Sequence, residues 1–220
     1  MPRFGTVIFD CDSTLSALEG IDVLAAGRPE IVALTDAAMR GEVPLQEVYG
    51  RRLAMVRPDR ARVEALGAEY ARTLVPGARA TVRALVRAGV RVRVVSGGVL
   101  PAVLALARVL GLGPDDVAAV DLRFAADGAY AGYDADSPLA RSDGKAEVIR
   151  RWLPELPRPV LMVGDGMTDL EARPPADAFA AFTGVAARAP VVAGADFVAP
   201  DMAAVRRLVL GETAEGEPDR

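Results

Sequence analysis

Asp10, Asp12, Asp165 and Asp169 are the residues whose types and spacing first suggest chemistry. They fall in two short runs, Asp10-Cys11-Asp12-Ser13-Thr14 and Gly164-Asp165-Gly166-Met167-Thr168-Asp169, each directly after an apolar segment. Two further runs sit at similar boundaries: Ser96-Gly97-Gly98 after a valine-rich stretch, and Ser142-Asp143-Gly144-Lys145 before an amphipathic one. Carboxylates without imidazole or thiolate neighbours suit a hard cation such as Mg²⁺. Gathered in one crevice they would repel each other unless a cation were bound, and Lys145 adds one further positive charge. Ser96 and the amides of Gly97-Gly98, placed where a helix begins, can hold an anion. A cation, an anion pocket and a carboxylate nucleophile are together what phosphoryl transfer through an aspartyl-phosphate requires.

Each run alone is ordinary. An Asp after a strand commonly serves a turn, Ser-Gly-Gly commonly makes a strand-to-helix turn, and a lysine before a helix is commonly a solvated surface residue. The weight lies in the whole set occurring at strand ends and in this order. Neither glycine run extends to the dinucleotide-binding Gly-x-Gly-x-x-Gly pattern, and Lys145 lacks the upstream glycine of a P-loop. Cys11 points away from its aspartate neighbours along an extended segment and reads as packing.

Composition narrows the chemistry further. The 220 residues include no histidine, which removes Ser-His-Asp hydrolysis, Cys-His proteolysis and histidine-ligated zinc. A single cysteine allows no internal disulfide. With 26 basic and 30 acidic side chains the net charge is -4, so no basic field invites nucleic acid. No segment is apolar enough to span a membrane, and no secretory leader precedes the first strand. A cytoplasmic protein acting on a small molecule is the expectation, and oligomeric state is not legible.

Elements that could position these residues are visible in the pattern. Residues 6–9, 90–95 and 160–163 read as buried strands ending at Asp10, Ser96 and Gly164-Asp165. Segments 178–182 and 197–198 read as further short strands, and 117–124 with 129–133 as a hairpin about Asp127-Gly128. Helices are expected over 78–88, 100–110 and 146–152. Between the first two strands, 21–26, 31–39, 45–56 and 60–74 all read as helical, an interval of about 60 residues that is too long for an ordinary crossover. The expected fold is therefore α/β, a doubly wound parallel-sheet (Rossmann-like) core of residues 1–15 and 76–210 with an inserted helical cap of residues 16–75. Residues 211–220 read as a polar tail.

Asp10-x-Asp12-x-Thr14, Ser96, Lys145 and Gly164-Asp165-Gly166-x-x-Asp169 resemble, in order, the four motifs of the haloacid-dehalogenase superfamily. Glu19-Gly20-Ile21-Asp22, Arg52-Leu53-Ala54, Val75-Pro76-Gly77, Val95-Ser96-Gly97-Gly98, Gly132-Tyr133 and Pro174-Pro175-Ala176-Asp177-Ala178-Phe179 extend the likeness to its phosphoserine-hydrolysing branch, from about residue 9 to 210. The resemblance implies Mg²⁺-dependent hydrolysis of L-phosphoserine to L-serine and phosphate, the last step of serine biosynthesis. It makes Asp10 the nucleophile and Asp12 the acid and then the base. Asp10, the Asp12 carbonyl and Asp165 would hold the metal, with Asp169 supporting it. Ser96, Gly97 and Lys145 would bind the phosphoryl oxygens, Glu19 the substrate ammonium and Arg52 its carboxylate. Met39 would pack over the substrate and Thr168 would bond beside it. Arg40, Met167 and Asp143 depart from the family pattern without removing a catalytic group. Two other readings compete: a phosphatase or phosphotransferase for another small phosphomonoester, and a metal-bound module without activity, which would have no use for Asp12.

Overall fold

A computed structural model describes residues 1–26, 28–40 and 42–212, apart from the side chains of Ala38 and Met39. At its centre six parallel strands run in the order β3-β2-β1-β6-β7-β8. They are β1 (Thr6–Phe9), β2 (Arg91–Val99), β3 (Val117–Val120), β6 (Val160–Gly164), β7 (Ala178–Phe182) and β8 (Phe197–Ala199). A separate antiparallel pair joins β4 (Leu122–Phe124) to β5 (Tyr130–Tyr133). Strands β1, β6 and β7 are buried at every residue. Helices cover both faces of such a sheet, so its strands read as continuous apolar runs rather than alternating ones.

The covering helices are α5 (Ala78–Arg87), α6 (Leu100–Leu110), α7 (Gly144–Trp152), α8 (Met167–Leu170), α9 (Ala189–Gly194) and α10 (Met202–Leu210). The interval between β1 and β2 holds α1 (Gly20–Leu24), α2 (Pro29–Met39), α3 (Leu45–Val56) and α4 (Arg60–Arg72). This is the helical insertion of the expected fold. Asp59 caps α4 by accepting the Arg62 amide at 2.8 Å, as N-cap carboxylates do. Helix α4 lies along α6, with Gly67 facing Ala102 and Ala105 closely enough that a Cβ there would come 2.8 Å from Ala105 Cβ.

Two local expectations change. The valine-rich strand does not stop at Ser96: β2 continues through Ser96-Gly97-Gly98 to Val99, with a register shift against β3 between Val95 and Val99. Ser-Gly-Gly is therefore a bulged strand end, and α6 begins two residues after it, at Leu100. The segment 117–124 divides at Asp121, Val117–Val120 joining the main sheet and Leu122–Phe124 forming the hairpin. Of the expected tail, residues 213–220 lie outside the described residues.

Strand pairing positions the chemistry. β1 lies in register between β2 and β6, Phe9 opposite Val94 on one side and Val163 on the other. The Asp10 amide donates to the Val163 carbonyl at 2.9 Å. Asp10 and Asp165 thus leave adjacent strands at their carboxyl ends, and Ser96 lies within the last residues of β2 beside them. The chain winds outward in both directions from there, which is where open α/β sheets place their ligands.

Candidate active site

Asp10, Asp165 and Asp169 each offer a carboxylate oxygen within 4.8 Å of the others, and all three are buried. Asp169 reaches this cluster because Gly164 leaves room: a Cβ at 164 would stand 2.2 Å from Asp169 Cγ. The Gly166 amide donates to Asp169 Oδ2 at 2.9 Å, and Thr14 Oγ1 donates to Asp165 Oδ1 at 3.0 Å. Asp165 Oδ2 is buried without a hydrogen-bond partner among the described residues; the Arg188 guanidinium stands against it as a charge contact. Three buried carboxylates within reach of one another, with no soft ligand among them, fit a divalent metal.

Lys145, near the start of α7, bridges the cluster. Its Nζ lies 2.7 Å from Asp10 Oδ1 and 2.6 Å from Asp169 Oδ1. Burial disfavours the ammonium, yet the two carboxylates outweigh it and hold its pKa above the usual value. Burial, reinforced by Asp169, pushes Asp10 from its ordinary 3.8 up to about 7, with Lys145 acting against the rise.

Asp12 stands apart from that cluster. Its Oδ1 accepts the Gly20 amide at 2.6 Å and the Tyr70 hydroxyl at 2.7 Å, while Oδ2 lies 3.5 Å from Ser96 Oγ. Burial raises its pKa, and the hydrogen bonds from Tyr70 and Gly20 limit that rise. Two aspartates two residues apart thus serve different surroundings, Asp10 facing cations and Asp12 facing neutral donors.

One cavity is lined by Asp10, Asp12, Glu19, Arg52, Gly97, Lys145 and Thr168, among others. Ser96 is fully buried, and its Oγ accepts the Gly98 amide at 2.9 Å. That bond engages one of the two glycine amides expected to face an anion. Arg52 is buried, held by Thr35 Oγ1 at 3.1 Å, which in turn donates to Asp22 Oδ1 at 2.8 Å. The Arg52 guanidinium lies 5.8 Å from the Tyr49 ring centroid, and its Nε has no partner among the described residues. Glu19 accepts Ser13 Oγ at 2.6 Å and lies 3.5 Å from Arg188 Nη2. Burial, then Asp12, pushes Glu19 from 4.5 up to about 8. Met39 ends α2, and its side chain lies outside the described residues. Arg40 is exposed and paired with Glu42 at 2.6 Å.

Tyr70, Arg188 and Tyr49 also belong here, and sequence reading does not single them out. Tyr49 donates from its hydroxyl to the Gly97 carbonyl at 2.8 Å. Tyr70 and Tyr49 follow ordinary helical spacing on α4 and α3, and Arg188 is one arginine among many outside any motif. Cys11 is buried packing, its thiol pKa raised well above the ordinary range by burial.

A haloacid dehalogenase-like hydrolase family model matches residues 7–172. The chain is 40% identical over 199 residues to phosphoserine phosphatase of Bos taurus, covering 89% of this chain and 88% of that one. It is 39% identical over 213 residues to phosphoserine phosphatase of Homo sapiens, covering 95% and 93%. A solved structure described as a phospho-aspartyl intermediate analogue of phosphoserine phosphatase superposes with a TM-score of 0.79 at 27% identity, over 93% of this chain and 98% of that one.

Proposed function

The chain belongs to the haloacid dehalogenase-like hydrolase family, and from that membership we propose that it hydrolyses L-phosphoserine to L-serine and phosphate in the cytoplasm, as the last step of serine biosynthesis. The observation that carries this reading is one cavity lined by Asp10, Asp12 and Lys145 together with Glu19 and Arg52. The first three suit phosphoryl transfer; the last two suit the ammonium and carboxylate of an amino acid. The unpaired Arg52 Nε supports it, since a buried guanidinium donor without a partner awaits an acceptor. In this reading residues 16–75 are the cap over a core of 1–15 and 76–210.

The residues divide the work. Asp10 attacks phosphorus as a carboxylate; its bond to phosphorus forms as the serine oxygen's bond breaks. Asp12 gives its proton to that departing oxygen, then takes one from the water that attacks the aspartyl-phosphate and restores Asp10. Lys145 holds Asp10 against Asp169 and offsets charge on the nucleophile. Gly97 and Thr168, on the cavity wall, contact the phosphoryl group, with Ser96 behind them holding the glycine turn. Asp10, the Asp12 carbonyl and Asp165 would hold Mg²⁺, with Asp169 in support. When bound, the ion neutralises charge on the nucleophile and the transferring oxygens. The test is phosphate release with Mg²⁺ present from L-phosphoserine, phosphothreonine and sugar phosphates. Strong preference for phosphoserine is expected, and equal rates on all three would reduce the reading to a generic phosphomonoesterase.

A further inference from the structure

The Tyr70 hydroxyl donates to Asp12 Oδ1 at 2.7 Å, and the Gly20 amide donates to the same oxygen at 2.6 Å. Asp12 Oδ2 has only Ser96 Oγ, at 3.5 Å, the outer limit of a hydrogen bond. A protonated carboxyl carries its hydrogen on one oxygen, and an oxygen already accepting two strong hydrogen bonds is the poorer place for it. We propose that Tyr70 is a positioning residue: with the Gly20 amide it holds Asp12 in one rotamer and assigns the transferable proton to Oδ2.

The surrounding packing supports this arrangement. Tyr70 is fully buried. It rides on α4, which is packed along α6 of the core through Gly67, Ala102 and Ala105, so the phenol is presented by an element tied to the sheet. Gly20 is shaped to admit it: a Cβ at 20 would fall 2.1 Å from the Tyr70 hydroxyl oxygen and 3.2 Å from Asp12 Oδ1. The first residue of α1 is thus small where the phenol passes, and its amide shares the phenol's acceptor.

The inference rests on the reading of Asp12 as acid and base, and it predicts a dependence on the leaving group. As the bond from phosphorus to the serine oxygen breaks, its electron pair goes to that oxygen, which takes the proton from Asp12 Oδ2. A p-nitrophenolate leaves with the same electron pair and needs no proton. Loss of Asp12 positioning therefore slows phosphoryl transfer from phosphoserine and spares the same step with p-nitrophenyl phosphate.

Rapid-quench measurement of Asp10 phosphorylation in Tyr70→Phe, alongside Asp12→Asn, tests this in the full chain with Mg²⁺ present. Tyr70→Phe should slow phosphorylation by phosphoserine by about 10–100-fold, the scale of a misplaced catalytic group. KM for phosphoserine and phosphorylation by p-nitrophenyl phosphate should stay within about twofold. Equal slowing on both substrates would make Tyr70 a support of the fold only and overturn the inference. A wild-type rate with phosphoserine in Tyr70→Phe, where Asp12→Asn is slow, would overturn it too while leaving the role of Asp12 standing. A fast Asp12→Asn enzyme would instead remove the acid–base reading and the inference with it. Should Tyr70→Phe not fold, Gly20→Ala displaces the hydroxyl from the other side and should give the same leaving-group-dependent loss; wild-type behaviour there would count against the inference.

Discussion

Lys145 Nζ lies 2.7 Å from Asp10 Oδ1, inside the buried end of the sheet. The same ammonium reaches Asp169 at 2.6 Å, so one cation serves two carboxylates that would otherwise face each other unscreened. Lys145→Met removes it with little loss of volume. In metal-free buffer this change should cost about 3–5 kcal/mol, the usual penalty for orphaning a buried charge. The midpoint of thermal unfolding should fall by roughly 10 °C. Turnover should drop at least about a hundredfold, because Asp10, the proposed nucleophile, loses its charge partner. A wild-type midpoint in urea and in heat would show that the lysine contributes no net stability.

Asp10→Asn preserves shape and removes the proposed nucleophile, since a neutral amide is a poor attacker of phosphorus. The variant should keep a native circular dichroism spectrum and lose turnover to the background rate. It should also fail to take up acid-stable label from ³²P-phosphoserine under rapid quench. Persisting phosphate release near the wild-type rate would end the covalent mechanism.

Stability should depend on pH in a direction set by burial. In the metal-free protein Asp10 titrates at about 7 instead of 3.8, and Glu19 at about 8 instead of 4.5. Between each pair of values the folded chain keeps a proton that the unfolded chain has lost. Stability therefore falls as pH rises from about 4 to 8 and levels off above that window. A divalent cation binds the deprotonated cluster, so it should stabilise more at pH 8 than at pH 5. Calorimetric melts with EDTA and with Mg²⁺ at both pH values check both trends. A metal-free melting point that rises from pH 5 to 8 would contradict the burial argument.

The strands ending at Asp10 and Asp165 were legible because a fully buried parallel strand is a short apolar run with an abrupt polar stop. Those stops are the catalytic candidates themselves, so the fold signal and the site signal coincide. The continuation of β2 to Val99 was not legible, because Ser96-Gly97-Gly98 is poor strand sequence, carried between the pairs that Val95 and Val99 make with β3 and held by the Gly98 amide bond to Ser96. Tyr70 lies 58 residues from Asp12 in sequence and meets it only through tertiary packing. Arg188 precedes the short helix α9 and reaches Asp165 only because β7 lies beside β6. Local pattern carries no information about either pairing.

In the proposed reading Arg52 and Glu19 would meet parts of an amino-acid substrate that do not react, which makes their contribution separable from chemistry. The Arg52 guanidinium is held from behind by Thr35, itself bonded to Asp22, while its Nε has no partner among the described residues. Binding energy from such a contact would help close the proposed cap over an aspartyl-phosphate and would appear in kcat as well as KM. Arg52→Ala should lower kcat/KM for phosphoserine by roughly 2–5 kcal/mol, the range for truncating a buried hydrogen-bonded charge pair. The same variant should change p-nitrophenyl phosphate turnover by less than about threefold, because that substrate has no carboxylate to lose. Glu19→Gln removes the charge that would meet an ammonium, and it should show the same selectivity with a smaller loss, since Ser13 and Arg188 still hold the side chain. Steady-state kinetics on both substrates for both variants checks the pair. Equal losses on the two substrates would mean that these side chains support the fold of α1 and α3, and substrate choice would have to be sought elsewhere on the cavity wall.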